Sequence, residues 1–427
     1  MRVSRSLFSR YLLSGLVCLS LGAGGCKNND TSGSGGSGST GGTGGTTAST
    51  TTNAAEQNTS GDEILVGEYA SMTGDTSTFG TQSDAGVKYA IEELNAAGGV
   101  LGKKFKVELQ DDQSKPDEAK TVAQRFASDK NMVAVIGEVA STRSKIAAPE
   151  FQRAGIPMIS PSSTNPEVTQ VGDFIFRVCF IDPFQGYVMA KFAREDLKAG
   201  KVAIMREQSS DYSVGLADVF KDEFTKMGGQ ITADVSYNSK DSDFRSQLTQ
   251  LKDVDAIFIP GYYNNIGTIA RQAREQGIKV PLLGGDGWDS DKLVAGAGGA
   301  GGALEGSYFS THYSPDDKSA RVQDFVKKYK EKHNGETPAA LVAQGYDAMM
   351  LLADAIKRAN STDRQKVRDA LAETKNYEAV TGMITLDENR NATKSAVVLQ
   401  IKGDKFVFAK SVAPAGSAAA AKTASAP

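Results

Sequence analysis

Residues 132–142 read Met-Val-Ala-Val-Ile-Gly-Glu-Val-Ala-Ser-Thr. The unbroken apolar run Met132–Ile136 is the pattern of a strand covered on both faces. Gly137 breaks it, and Ser141-Thr142 put hydroxyls where a following helix would begin with unpaired N–H groups. A strand that turns directly into a helix is half of a βαβ unit, and the flanking sequence repeats the unit. Upstream, Ile64–Val66 is strand-like, and Val87, Ala90, Ile91 and Leu94 recur at helical spacing until Gly98-Gly99. Phe105, Val107 and Leu109 alternate as a strand, and Pro116 opens a helix carrying Ala119, Val122, Ala123 and Phe126.

Downstream the rhythm continues. Val202–Met205 precedes a helix with Leu216, Val219, Phe220 and Phe224, and Ile231–Val235 precedes one with Phe244, Leu248 and Leu251. Ala256–Ile259 precedes one with Ile266, Ile269, Ala270 and Ala273, and Val280–Gly284 is a further strand. The alternation predicts an α/β protein with parallel sheets covered on both faces. It is too long for one simple sheet, and Phe174–Pro183 is the expected crossing between two. After Gly306 helices dominate. One carries Val322, Phe325, Val326 and Tyr329, and a longer one carries Leu341, Tyr346, Met349, Met350, Ala353 and Ile356 at core spacing. Ser395–Lys402 and Lys405–Ala409, joined by Gly403-Asp404, read as a β-hairpin.

The ends speak for export. Arg2, Arg5 and Arg10 precede an apolar core, Tyr11–Leu21, too short to span a bilayer, and the small residues Gly22–Gly25 lead to Cys26. Residues 1–25 are therefore expected to be a lipoprotein signal peptide and Cys26 the lipidation site, against the alternative of an ordinary signal with an incidental cysteine. Residues 26–61, rich in Gly, Ser and Thr, are expected to be a disordered tether, and 413–427 a disordered tail. Cys18 leaves with the signal, so Cys179 has no intramolecular partner. Net charge is −3 with no basic cluster in the folded part, which argues against nucleic acid as a partner. Two histidines, His312 and His333, leave little for a histidine-based metal site or triad.

In open α/β sheets ligands bind beyond the carboxyl ends of strands. Glu138 to Thr142 follow one strand, and Ser160-Pro161-Ser162-Ser163-Thr164-Asn165-Pro166 follow Met158-Ile159. Any one of these hydroxyls reads as a cap, but together with a helix N-terminus they are suited to an anionic group. In the second half Tyr212, Tyr262 and Asp286 follow strands. A carboxylate there suits an ammonium ion and tyrosine faces add cation–π attraction, although Asp286 alone reads equally as a turn residue among glycines.

Four stretches carry a family resemblance: Ser71-Met72-Thr73-Gly74 through Phe79-Gly80; Val135-Ile136-Gly137 through Pro166; Phe176 to Gly186; and Gly261-Tyr262-Tyr263 to Gly284-Gly285-Asp286-Gly287. In order and spacing the chain resembles the leucine/isoleucine/valine-binding proteins of ABC importers, from about Glu63 to Phe408. The resemblance implies a type I periplasmic-binding-protein fold, two doubly wound parallel-sheet lobes joined by a three-strand hinge. The lobes would be 62–181 plus 312–384, and 182–311 plus 385–412. It further implies a monomeric receptor, without cofactor or metal, that closes on an amino acid and delivers it to an ABC permease. Ser141, Ser162 and Thr164 fall where the family holds the α-carboxylate, Tyr212 and Tyr262 on the opposite wall, Asp286 where it holds the α-ammonium, and Phe79 in the side-chain pocket. Trp288 is a further side-chain-pocket candidate. Asp286 is shorter than the family's glutamate, Ser162 replaces a small apolar residue, and Gln113 and Ala140 stand in the region of a cysteine pair found in some relatives. A urea, amide or aromatic acid is the alternative cargo, and sensing for a membrane partner the alternative role. An enzyme is disfavoured, since the sequence has no Gly-x-Ser-x-Gly elbow with a plausible histidine, no dinucleotide fingerprint and no phosphate loop.

Overall fold

A computed structural model describes residues 61–300 and 302–414. The signal segment, Cys26, the tether to residue 60 and the tail beyond 414 lie outside the described residues. The first lobe opens with β1 (Glu63–Ala70), α1 (Ser77–Ala96), β2 (Lys104–Asp111), α2 (Pro116–Ser128) and β3 (Met132–Ile136). It continues with α3 (Ser141–Ala154), β4 (Met158–Ser160), α4 (Glu167–Gln170) and β5 (Ile175–Arg177). The five strands form a parallel sheet in the order β2-β1-β3-β4-β5.

After residues 178–181 the chain enters the second lobe through α5 (Asp182–Lys191), β6 (Lys201–Glu207), α6 (Asp211–Lys226) and β7 (Gln230–Tyr237). Then come α7 (Arg245–Leu248), β8 (Ala256–Phe258), α8 (Tyr263–Glu275), β9 (Leu282–Gly284), α9 (Asp291–Gly296) and β10 (Tyr308–Thr311). The helices α10 (Ala320–Lys332), α11 (Ala340–Ala359) and α12 (Arg364–Ala372) return to the first lobe with β11 (Tyr377–Ala379), β12 (Gly382–Leu386) and β13 (Ala392–Thr393). Last, β14 (Ala396–Lys402) and β15 (Lys405–Val412) form an antiparallel hairpin that extends the second sheet, ordered β15-β14-β10-β9-β8-β6-β7. The boundary expected at 384 falls inside β12. Ile384, Leu386 and Ala392 pack in the first lobe, so the return crossing lies between Thr393 and Ala396.

Each sheet is sandwiched, as its continuous apolar strands require. In the first lobe Val87 and Tyr89 of α1 pack with Phe325 of α10 and Tyr346 of α11 on one face, while Phe126 of α2 and Phe151 of α3 cover the other. In the second, Val188 of α5 and Phe220 of α6 cover one face, and Ile266 of α8 and Leu293 of α9 the other. Each such side chain contributes about 1.5–3 kcal/mol by leaving water. The segment with Phe244, Leu248 and Leu251 makes only the single turn α7. Its apolar side chains still reach the core, and the Phe244 N–H donates to Gln272 Oε1 at 2.7 Å instead of extending a helix. α1 and α11 cross at glycine. A Cβ on Gly86 would lie 2.0 Å from the Val342 carbonyl oxygen, and one on Gly345 2.3 Å from that of Ser83. That close crossing sets where the first turn of α11 sits. Among the described residues no helix is long and apolar enough to cross a membrane.

Candidate functional site

The loops after β3 and β4 meet those after β6, β8 and β9 across an interlobe cavity. In this closed form its free volume is only about 10 Å³, room for about one water molecule and far below the roughly 300–1,000 Å³ usual for small-molecule sites, so a solute enters only when the lobes part. Phe79, Ser141, Ser162, Thr164, Tyr212, Tyr262 and Asp286 all line it. Trp288 does not. Its ring is fully buried against Gly284, and Nε1 donates to the Ile259 carbonyl at 3.0 Å, so it supports the wall from behind.

The hydroxyl clusters divide their work. Ser141 and Thr142 open α3, yet neither caps it. Ser141 Oγ accepts the Asn165 N–H at 3.2 Å, leaving its own proton free to donate elsewhere, and Thr142 Oγ1 accepts the Asp211 N–H from the other lobe at 3.0 Å. Ser160 and Ser163 are structural. Both donate to the Glu138 carbonyl, at 2.6 and 2.9 Å, and Ser163 Oγ also meets Ser144 Oγ at 2.7 Å. The fully buried Arg177 of β5 donates to the carbonyls of Ser163 and, at 2.9 Å, Asn165, bracing the loop that presents Thr164. Thr164 Oγ1 lies near the buried Asp182 carboxyl without a hydrogen bond of good geometry, and it has no other partner.

Behind Ser141 sits a buried ionic brace. Glu138 Oε2 pairs with Arg143 Nε at 2.9 Å and accepts the Ala140 N–H at 2.5 Å. Arg143 Nη2 donates to Thr76 Oγ1 at 2.8 Å, and Ser71 Oγ donates to Asp112 at 2.7 Å. The brace ties the loops after β1, β2 and β3 into one unit. Burial first, and the Glu138 charge second, push Asp112 up to about 7.

On the second lobe Tyr212 and Tyr262 stack with ring centroids 5.1 Å apart, and the Tyr212 hydroxyl accepts the Gly287 N–H at 3.0 Å. Gln185 Oε1 accepts the Asp286 N–H at 2.8 Å. The Asp286 carboxylate presents Oδ2 to His312 Nε2 at 3.0 Å and to Ser162 Oγ, across the cleft, at 3.4 Å; Oδ1 is buried without a partner. Phe79 of α1 meets Tyr262 and Tyr263 edge-on at 6.0 and 4.9 Å, closing the apolar wall with Val139 and Leu341. Outside the cavity the lobes are clamped at Asp211. Lys145 Nζ meets its carboxylate at 2.9 Å and Asn165 Nδ2 its carbonyl at 2.9 Å.

Sequence reasoning missed Asp289, Thr311, His312, Leu341 and Gln344, which also line the cavity. Asp289 accepts a hydrogen bond from Thr311 Oγ1, and burial pushes its carboxyl up to about 7; the same cause pushes Asp182 up to about 8. Leu341 and Gln344 sit in the first turns of α11, whose apolar periodicity continues unbroken into the core. The buried Cys179 thiol is pushed up to about 12 by desolvation and meets the Ser163 carbonyl at 3.3 Å.

Residues 63–405 match the model of a family described as periplasmic binding protein. A Leu/Ile/Val-binding protein homolog 1 of Brucella suis is 33% identical over 330 residues, 76% of this chain and 86% of that protein. The crystal structure of a leucine-binding protein LivK from Thermotoga maritima is 42% identical, with TM-score 0.78, covering 82% of this chain and 99% of that one. The branched-chain amino acid transporter substrate-binding protein LivJ of Streptococcus pneumoniae, in complex with isoleucine, is 34% identical with TM-score 0.78, covering 82% and 100%. The fold, with its doubly wound lobes and the cavity between them, is that of these proteins, and the chain belongs to the periplasmic binding protein family.

Proposed function

We propose that this protein is the extracytoplasmic substrate-binding receptor of an ABC importer and that its interlobe cavity takes a free amino acid, branched-chain or related. One observation carries the reading. Two buried oxygens, Thr164 Oγ1 on one lobe with only the poorly aligned Asp182 carboxyl beside it and Asp286 Oδ1 on the other with no partner, belong to residues that line the same small cavity, which is walled by Phe79, Val139 and Leu341. Buried polar groups are ordinarily paired, and unpaired ones call for a partner. A zwitterion supplies both: a carboxylate for Thr164, Ser141, the Ser162 backbone and the start of α3, and an ammonium for Asp286 between the tyrosine faces. An aliphatic side chain then meets the Phe79 wall. Because the groups come from two lobes, binding and closure are one event, and transport needs no catalysis by this chain. The isoleucine bound by the Streptococcus pneumoniae protein supports the same ligand class.

Isothermal titration against the individual amino acids is the test. Leucine, isoleucine or valine should bind most tightly. If none binds, the amino-acid reading is wrong; binding of a urea, an amide or an aromatic acid would then name the cargo. The partner is an ABC permease, and the protein acts as a monomer held in the cell envelope by lipid on Cys26. Substituting Cys26→Ser should release the protein from membranes into the soluble fraction and abolish labelling by radioactive palmitate; unchanged membrane association would exclude the anchor.

A further inference from the structure

His312 follows β10 directly, where the chain leaves the second sheet, and is 2% exposed. Its imidazole is pinned from two sides. Phe180, on the 178–181 crossing, stacks on it with centroids 3.7 Å apart and planes at 29°. Nε2 lies 3.0 Å from Asp286 Oδ2. The other ring nitrogen, Nδ1, has no partner. The contact therefore assigns the tautomer: the neutral ring carries its proton on Nε2 and donates it to the carboxylate. With Oδ2 held by His312 and Ser162, Asp286 is left with one oxygen, Oδ1, for a ligand.

We propose that His312 is the positioning residue of the ammonium subsite, fixing the short Asp286 side chain so that Oδ1 faces the cavity and competing with the ligand's ammonium for that carboxylate once protonated. This rests on the amino-acid reading above. The charged groups that act on the ring are Asp286 on the turn after β9 and Lys394 on the last crossing, and Asp286 is in turn faced by Asp289, Asp182 at the start of α5, Cys179 on the first crossing, and Tyr212 and Tyr262 on the facing wall. Burial, the largest influence, holds the imidazole below its ordinary value against the pull of Asp286, so the ring is neutral near pH 7. Protonation puts a second cation on Asp286, and a bound ammonium opposes that protonation. Ligand affinity should therefore fall as pH drops through the imidazole's lowered value, by up to about tenfold per unit where the free protein's imidazole is the only group taking up a proton.

Two measurements test this. In the first, leucine is titrated into wild type, His312→Ala and His312→Gln from pH 5 to 8. Alanine should cost about tenfold in affinity at pH 7.5, the scale of one charge-assisted hydrogen bond. Glutamine, which keeps a donor but does not titrate, should recover most of that loss and flatten the acid decline. A glutamine variant that keeps the wild-type acid slope, or an alanine variant that binds as tightly as wild type, overturns the proposal. The second measurement needs no ligand. With two histidines in the chain, the His312 ring signal is followed by NMR in wild type and in Asp286→Asn. The titration midpoint should move down by at least half a unit when the carboxylate is removed, and an unmoved midpoint overturns the positioning contact. If wild type binds no amino acid, the cargo assignment fails while the NMR result still decides whether His312 holds Asp286.

Discussion

Replacing Thr164 by valine separates a binding hydroxyl from a structural one. The substitution conserves shape and removes only the O–H. Thr164 Oγ1 has only the poorly aligned Asp182 carboxyl beside it, so the folded protein should lose no more than a weak contact, under about 1 kcal/mol. Ser163, one position earlier, is the internal control. Its hydroxyl meets the Glu138 carbonyl at 2.9 Å, the Val139 carbonyl at 3.1 Å and Ser144 Oγ at 2.7 Å. Ser163→Ala should therefore cost about 0.5–1.5 kcal/mol of stability by removing the hydroxyl's hydrogen bonds, although the Glu138 carbonyl keeps Ser160 and Ser144 as donors. For ligand binding the order reverses. Thr164→Val should lose one hydrogen bond to a carboxylate, about 1.5–3 kcal/mol or roughly 10–150-fold in Kd. Urea unfolding and calorimetric titration with leucine on the same samples read both quantities. A Thr164→Val protein that binds leucine like wild type, or that unfolds as early as Ser163→Ala, would refute the assignment of this hydroxyl to the ligand.

Three other outcomes follow from the packing and the charges. Asp211→Ala removes the half-exposed ion pair with Lys145 but leaves the backbone contacts to Thr142 and Asn165, so closure should weaken by about 0.5–1 kcal/mol. Stopped-flow should show that as a roughly two- to fivefold faster ligand release, and an unchanged rate would dismiss the clamp. Asp182 is raised by burial to about 8, above its ordinary unfolded value, so its contribution to stability is complete in acid and is lost as pH rises towards 8. Asp182→Asn should flatten the decline in unfolding free energy between pH 5 and 8, by up to about 1.4 kcal/mol per pH unit; parallel wild-type and variant curves would contradict the raised value. Gly345→Val forces a side chain onto the Ser83 backbone and should cost about 3 kcal/mol or more in chemical unfolding, whereas a wild-type midpoint would mean that α1 and α11 can separate freely.

The parts of the site that the sequence reveals are those built by local rules. A strand running into glycine and hydroxyls marks a carboxyl-end loop, so Ser141, Ser162, Thr164, Tyr212, Tyr262 and Asp286 stand out by position. His312, Thr311 and Gln344 do not, because they reach the cavity through the return of the chain across the hinge, a long-range event with no local pattern. Leu341 was visible only as one apolar residue in a helical stripe, and nothing in a 3.6-residue period distinguishes a core contact from a cavity wall. Trp288 shows the reverse error. Its nearness to Asp286 in sequence suggested the pocket, yet Gly284 before it clears the space into which the indole folds back. The lobe boundary was misplaced because β12 and β13 are short and follow one another without the strand–helix rhythm that marks β1 to β10.

The two unpaired oxygens also bear on why the lobes do not simply shut. Closure brings favourable contacts, the Asp211 clamp and the Phe79–Tyr263 packing, that need no solute. Set against them, closure without a solute buries Asp286 Oδ1 with no protein partner and Thr164 Oγ1 with only a poorly aligned one, at up to about 1–3 kcal/mol each. That penalty opposes the clamp and is relieved when a solute pairs both oxygens. A single polar residue on one lobe would not give this balance, because it would stay solvated or satisfied within its own lobe. On the proposed amino-acid reading, dividing the grip between Thr164 and Asp286 would make closure a report of occupancy, and an apolar replacement at either position should shift the protein towards spontaneous closure as well as weaken binding.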